Sequence, residues 1–341
     1  MYMTAAFVLT LALAFTTAFF IARHISLNGE RMGLLQVPNR RSSHKKPTSS
    51  GGGAGIALAG SLCLLPWLAG AAPALTWVVV VSALGGVVGL LDDRLDVPAR
   101  YRIVIHFVLV GILSHSALNL PFSPDLIALA TWALVLLLGV WWINLFNFMD
   151  GIDGIAASEA VFILGAAAFL IGFGEAEGLL LPLSIGIAAS VGFLLWNWPP
   201  ARVFMGDAGS NYLAFFILGL AFISLAAGAM TPAVWVILTA TFVADATITL
   251  LRRMLKGERW LTAHREHTYQ RLSRRWNGHL RVTLLYAAVN LLWLFPLALL
   301  VHNHPHMDWF IALVAYLPIV AACIFTQAGR SDSASLKSPG A

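Results

Sequence analysis

The stretch LIALATWALVLLLGVWWINLFNFMDGIDGIAA, residues 126–157, decides the fold class. Its first part, 126–144, carries no charged side chain. An apolar run of that length crosses the roughly 30 Å hydrocarbon core of a bilayer as one helix. Its second part sets two carboxylates (Asp150, Asp153) and two carboxamides (Asn144, Asn147) among glycines. Burying such groups in lipid is costly unless they find partners or face water. The stretch reads as a membrane span that ends in a polar segment suited to chemistry.

Working outward, the whole chain follows the same pattern. Of 341 residues, 59% are apolar and only 11% charged. A soluble domain has about a quarter of its residues charged. The expectation is an all-α, polytopic integral membrane protein. Apolar runs fall at about 3–22, 52–71, 74–91, 103–119, 126–144, 155–173, 179–196, 210–229, 233–251, 282–301 and 308–327. These are eleven candidate spans, separated by turn and breaker residues such as Pro121, Gly174 and Pro199-Pro200. The first run lacks a basic flank and a small-residue cleavage site, so it reads as a retained span and not a signal peptide. With eleven alternating spans, all 21 Lys and Arg fall on one side. The positive-inside rule then places the N-terminus outside and the C-terminus in the cytoplasm. Residues 1–327 read as one transmembrane domain and 328–341 as a disordered cytoplasmic tail. Cys63 and Cys323 lie in apolar runs, so no structural disulfide is expected. The net charge of +5 resides in these loops, and no nucleic-acid partner is expected.

This topology gathers four polar clusters on the cytoplasmic face. Asp92, Asp93 and Asp96 end the third span, where the helix dipole disfavours carboxylates. They read as a solvated turn with Asp96 paired to Arg100, or as oxygen ligands for a divalent cation. Asn147, Asp150 and Asp153 fall three residues apart, on one broad face of a helix. Capping of the next helix accounts for one carboxylate but not for the whole set. Asp207, in VFMGDAGS, reads as the N-cap of the eighth span or as a metal ligand brought near Asp92 and Asp93. Its glycine-rich turn suits phosphate. His264, Arg265 and His267 lie in a basic loop that reads as a lipid-headgroup surface or as contacts to a diphosphate. Two histidines at that spacing make half a zinc set at best. Asp245 stands alone inside the ninth span, and a structural role fits it as readily as a catalytic one.

At this point the chain resembles a known family. PNRRSSHKKPTSSGGG (38–53), DDRLD (92–96), NLFNFMDGIDG (144–154), VFMGDAGS (203–210) and HREHTYQRL (264–272) look like the serial signature of the polyprenyl-phosphate N-acetylhexosamine-1-phosphate transferases. The resemblance covers about residues 36–275. It implies a bacterial inner-membrane enzyme of ten or eleven helices with a cytoplasmic, Mg²⁺-dependent site, Mn²⁺ being the alternative ion. It implies transfer of a sugar-1-phosphate from a UDP-sugar to a polyprenyl phosphate lipid, with release of UMP. Some relatives are homodimers. Carried onto this sequence, Asp92 and Asp93 match the catalytic aspartate pair, and Asp207 a Mg²⁺ ligand. Asn147, Asp150 and Asp153 match the pocket wall, with Asp150 supporting catalysis. His264, Arg265 and His267 match the loop over the substrate, and Arg102 a basic position at the diphosphate. A lipid-facing groove is implied beside spans five and nine. The peptidoglycan branch, phospho-N-acetylmuramoyl-pentapeptide transferase, has a histidine run and a lysine where Asp96 stands here. This chain looks instead like the branch that initiates O-antigen and other surface glycans, loading N-acetylglucosamine or an N-acetylated 6-deoxyhexosamine.

The resemblance fits the residues. Phosphoryl transfer asks for positioning and charge neutralisation. Mg²⁺ on Asp207 with Asp92 or Asp93 would neutralise the diphosphate, and Arg102, Arg202 and Arg265 are candidates for the remaining charge. Direct attack by the lipid phosphate, with Asp92 or Asp93 as proton acceptor, is the favoured route; an aspartyl-phosphate intermediate is its rival. Two other classes compete. A membrane transporter would place its acids near the bilayer midplane, and a CDP-alcohol phosphotransferase carries an arginine that DGIDGIAA lacks.

Overall fold

In lipid a backbone must satisfy its own polar groups, so each apolar run is expected to be a helix. The computed structural model describes residues 5–38, 46–120, 123, 125–172, 176–258 and 264–330, and it meets that expectation in all eleven runs. The helices are α1 (Ala5–Asn28), α2 (Ala54–Leu68), α3 (Pro73–Leu95), α4 (Ala99–Ser116), α5 (Leu126–Met149), α6 (Ile155–Ile171), α7 (Leu180–Asn197) and α8 (Gly206–Ala226). Beyond these come α9 (Pro232–Leu238), α10 (Ala240–Leu255), the short α11 (Thr268–Arg275), α12 (Leu280–Val289), α13 (Phe295–Asn303) and α14 (Asp308–Phe325). A π-turn, Asn290–Leu294, joins α12 to α13. Arg40, Arg41, Lys45, Arg259 and the chain beyond Arg330 lie outside the described residues.

The expected eleven full spans are not all reproduced. Among the described residues, seven helices are long and apolar enough to cross a membrane: α1, α3, α5, α7, α8, the rod α12–α13 and α14 with the turn before it. The pair α9–α10 makes an eighth if counted as one span, but it bends by 76°. The shortfall has local causes. Helices α2 and α6 are short, α4 opens on Arg100 and Arg102, and the ninth run breaks at Thr239. Cys63 and Cys323 are free thiols, as their apolar setting implied. The first residues of the expected tail are docked: Arg252 donates to the Ala328 carbonyl at 2.8 Å, and the Gly329 N–H to that of Glu266 at 2.9 Å.

Helix α8 is the hub, 83% buried over its apolar window where α1 is only 17% buried. Its partner is α3, and the seam between them is built on small residues. A Cβ on Gly89 would overlap the Asp207 carbonyl, and one on Gly85 would overlap the Phe215 ring. Without a hydrophobic drive between helices in lipid, close backbone approach of this kind is what holds them together.

At the start of α2 the glycine-rich motif has a structural use. Strands β1 (Leu35–Gln36) and β2 (Thr48–Ser49) pair antiparallel, and Ser49 bridges to Val203. The Gly52 and Gly53 N–H groups donate to the carbonyls of Phe204 and Met205, both at 2.9 Å. This stitching fixes the turn that leads into α8.

Candidate functional site

The site forms where the ends of α3, α5 and α8 and the start of α4 meet. A helix start leaves its first N–H groups unpartnered. For α8 the missing partner comes from another helix: the Asp207 and Ala208 N–H groups donate to the two oxygens of Asp93 at 2.9 and 3.1 Å. Asp93 therefore acts as the cap of α8 and fixes where Asp207 stands. Its neighbour Asp92 faces a different set. One oxygen accepts from the Val97 N–H at 2.7 Å, and the other pairs with the Arg102 guanidinium. The same Arg102 Nη1 reaches Asp207 at 3.1 Å. Asn147 Nδ2 donates to the other Asp207 oxygen at 2.9 Å and to Ser210 Oγ at 3.0 Å.

Asp150 is different. It follows the last turn of α5, and among the described residues its carboxylate makes no hydrogen bond or ion pair. It lines a cavity of about 210 Å³ together with Asn147, Asp153, Gly206, Asp207 and Gln270. Burial, and then the negative charges of Asp207, Asp93 and Asp153, hold its carboxyl well above the usual carboxylate range. Among the described residues, the Arg102 guanidinium pairs with Asp92 and Asp207 of this acidic group. An oxygen-only, acid-rich donor set suits a hard divalent cation that keeps waters and takes substrate phosphate oxygens. It is no closed cage: among the described residues, no three His, Cys, Asp or Glu converge to hold a metal by themselves.

Asp153 bounds the cavity on its outer side. Its oxygens meet His279 Nδ1 at 3.0 Å and the Ala201 N–H at 3.0 Å. Gly154, with φ +76°, turns the chain into α6, and its N–H donates to Asn197 Oδ1 at 2.9 Å. Beyond Asp153 opens a vestibule of about 880 Å³ lined by Lys46, Arg265, Arg274 and His279. Asp153, Phe204 and His279 line both spaces. An acidic inner chamber behind a basic entrance is the order a diphosphate ester bound with a cation would need.

The histidine loop departs from its expected place. Arg265 lines the vestibule, but His264 and His267 line neither cavity. The two rings lie 4.8 Å apart, tilted by 30°, and His267 stacks on Tyr269 at 5.6 Å. Burial, then the charges of His267 and Arg253, lower the His264 pKa to about 3. The loop is held from behind by Asp245, which accepts from the Thr268 and Tyr269 N–H groups at 2.7 and 3.1 Å and from Tyr286 Oη at 2.7 Å. Tyr269 Oη in turn donates to the Phe148 carbonyl at 2.8 Å, beside Asp150. Arg202 also stays out of both cavities; its guanidinium lies over the Trp196 ring at 5.4 Å. An apolar cavity of about 310 Å³, lined in part by Thr241 of span nine, lies between α10, α11, α12 and α14.

Sequence reasoning missed His279, Gln270 and Ser50. No local spacing ties His279 to Asp153, which lies 126 residues earlier.

The family model described as glycosyl transferase family 4 matches residues 75–225. A decaprenyl-phosphate N-acetylglucosaminephosphotransferase of Mycolicibacterium smegmatis is 30% identical over 75% of this chain and 72% of its own length. A probable undecaprenyl-phosphate N-acetylglucosaminyl 1-phosphate transferase of Bacillus subtilis is 26% identical over 71% of this chain and 70% of its own. A phospho-N-acetylmuramoyl-pentapeptide-transferase of Desulforamulus reducens is 34% identical, over 46% of this chain and 53% of its own.

Proposed function

This chain belongs to glycosyl transferase family 4, and from that premise we propose that it transfers an N-acetylhexosamine-1-phosphate from a UDP-sugar to undecaprenyl phosphate and releases UMP. The donor is UDP-N-acetylglucosamine or an N-acetylated 6-deoxyhexosamine, and the product initiates O-antigen or another surface glycan. The site faces the cytoplasm of a bacterial inner membrane, with the N-terminus outside. The activities in the relatives' names support this reading. So does the gathering of carboxylates at the helix ends, where a soluble nucleotide-sugar meets a lipid phosphate.

The observation that carries the proposal is Asp150: a carboxylate unpaired among the described residues that shares its cavity with Asp207, which Arg102 pairs. Asp207 and Asp150 would hold Mg²⁺, which supplies positive charge for the diphosphate oxygens. Asp93 keeps Asp207 in place, and Asn147 fixes one of its oxygens. Arg102 holds Asp92 and Asp207 together and remains within reach of phosphate oxygens. An oxygen of the lipid phosphate attacks the β-phosphorus of the donor. The new P–O bond forms as the bond between the β-phosphorus and the bridging oxygen breaks, and UMP leaves with that oxygen. The test is release of UMP from a panel of UDP-N-acetylhexosamines by purified enzyme with Mg²⁺. Release that needs polyprenyl phosphate supports the proposal; no release with any donor sinks it.

A further inference from the structure

Beside Asn147 and Arg102 lies a second, smaller polar space. Arg102 and His106 sit one turn apart on α4. His106 is 4% exposed, its ring edge-on to Phe215 with centroids 5.7 Å apart. Neither of its ring nitrogens meets a protein partner among the described residues, and neither does Arg102 Nε. Buried polar atoms without partners are few in native proteins, and each calls for an explanation. Arg102 and His106 border one small chamber of about 20 Å³, shared with Asn144, Asn147 and Asn211. Asn144 Nδ2 already donates to the Val140 carbonyl at 2.7 Å, and Asn147 Nδ2 to Asp207 and Ser210. Their carbonyl oxygens remain as acceptors.

The size of the chamber selects its occupant. A site needs about 10–15 Å³ of this kind of volume, with two to four polar partners, to hold a water. A phosphate or a sugar does not fit. We propose that the chamber is a one-water site. The water accepts from Arg102 Nε–H and donates to a ring nitrogen of His106 and to an amide oxygen of Asn144 or Asn147. His106 is thereby a positioning residue: through the water it fixes the guanidinium whose Nη1 joins Asp92 to Asp207. A neutral imidazole suits the role, because it accepts while placing no second positive charge beside Arg102.

The water site stands on geometry alone; its kinetic consequence rests on the transferase reading. Two arms of one experiment keep them apart. The first is a structure of the full chain in lipid nanodiscs at a resolution that shows ordered water, for the wild type and His106→Leu. Density between Arg102 and His106 is expected in the wild type and is lost in the variant. The second arm compares turnover for the wild type, His106→Leu and His106→Gln. In His106→Leu, kcat is expected to fall about tenfold with KM for the UDP-sugar within about twofold, and in His106→Gln most of kcat returns, since an amide still accepts from the water. An empty wild-type chamber overturns the site. Unchanged kcat in His106→Leu, or equal losses in both variants, overturns the positioning role. If the wild type releases no UMP, the transferase reading fails while the density still decides the water.

Discussion

Two carboxylates, Asp150 and Asp245, share an amino acid and a membrane-bound setting but not a fate. Asp245 is 1% exposed and accepts from two backbone N–H groups, Tyr286 Oη and, at 3.3 Å, Thr249 Oγ1. Asp150 is half-buried, faces a cavity, and its neighbours are other acids. Burying a charge is costly, and the fold repays the cost at Asp245 with directed donors. At Asp150 it leaves the charge uncompensated. A satisfied buried acid is a structural joint, whereas an unsatisfied one beside a cavity is waiting for a ligand.

Substitutions should separate the two. Asp150→Asn is expected to cut UMP release by about a thousandfold or more, the scale of losing a preorganised group at the reacting centre, while the thermal midpoint holds or rises. A midpoint that collapses with the activity would erase the distinction. Asp245→Ala should do the reverse in kind. It orphans four donors and is expected to cost about 3 kcal/mol of stability, read as a lower denaturation midpoint with or without substrate.

The pH dependence sharpens the contrast. Asp150 has a folded pKa above its unfolded value, so its ionised form opposes folding at neutral pH. That penalty begins to shrink as pH falls through the raised pKa, when the folded state takes up the proton, and is gone below the unfolded value. The stability advantage of Asp150→Asn over the wild type should therefore be largest at neutral pH without divalent metal, and vanish in acid. Added Mg²⁺ should shrink it by favouring the ionised wild-type group. A gap independent of both pH and Mg²⁺ would show that Asp150 is not the cation's partner. The smallest effect is expected at the link between the two regions. Tyr269→Phe removes the hydroxyl that bonds the Phe148 carbonyl and should cost about 1 kcal/mol, with a modest loss of turnover. No change in either quantity would mean that the loop carrying Asp150 stands without this prop.

Much of this was legible in the chain itself. Among the described residues, apolar length located every α-helix but the basic α11, because lipid leaves the backbone no alternative. The motifs brought Asp92, Asn147, Asp150 and Asp207 to one place because each sits at a helix end. Roles set by distant contacts were hidden. Asp92 and Asp93 are identical and adjacent, yet one pairs with Arg102 and the other caps α8. The pairing of Asp153 with His279, and the fastening of the histidine loop by Asp245, depend on how α10 and α12 pack and not on any local period. The number of full spans also escaped, since a hydropathy run reports neither the 76° bend after α9 nor the short reach of α2 and α6.

The seam between α3 and α8 sets how this enzyme can vary. Gly89 touches no substrate, but its missing side chain is what lets the Asp207 carbonyl lie against α3. An alanine there would push the start of α8 outward and tilt Asp207 away from Asp150 and Arg102 together. A lineage or a library sampling this position would tune catalytic output by helix spacing alone, with every reacting group still present in its sequence.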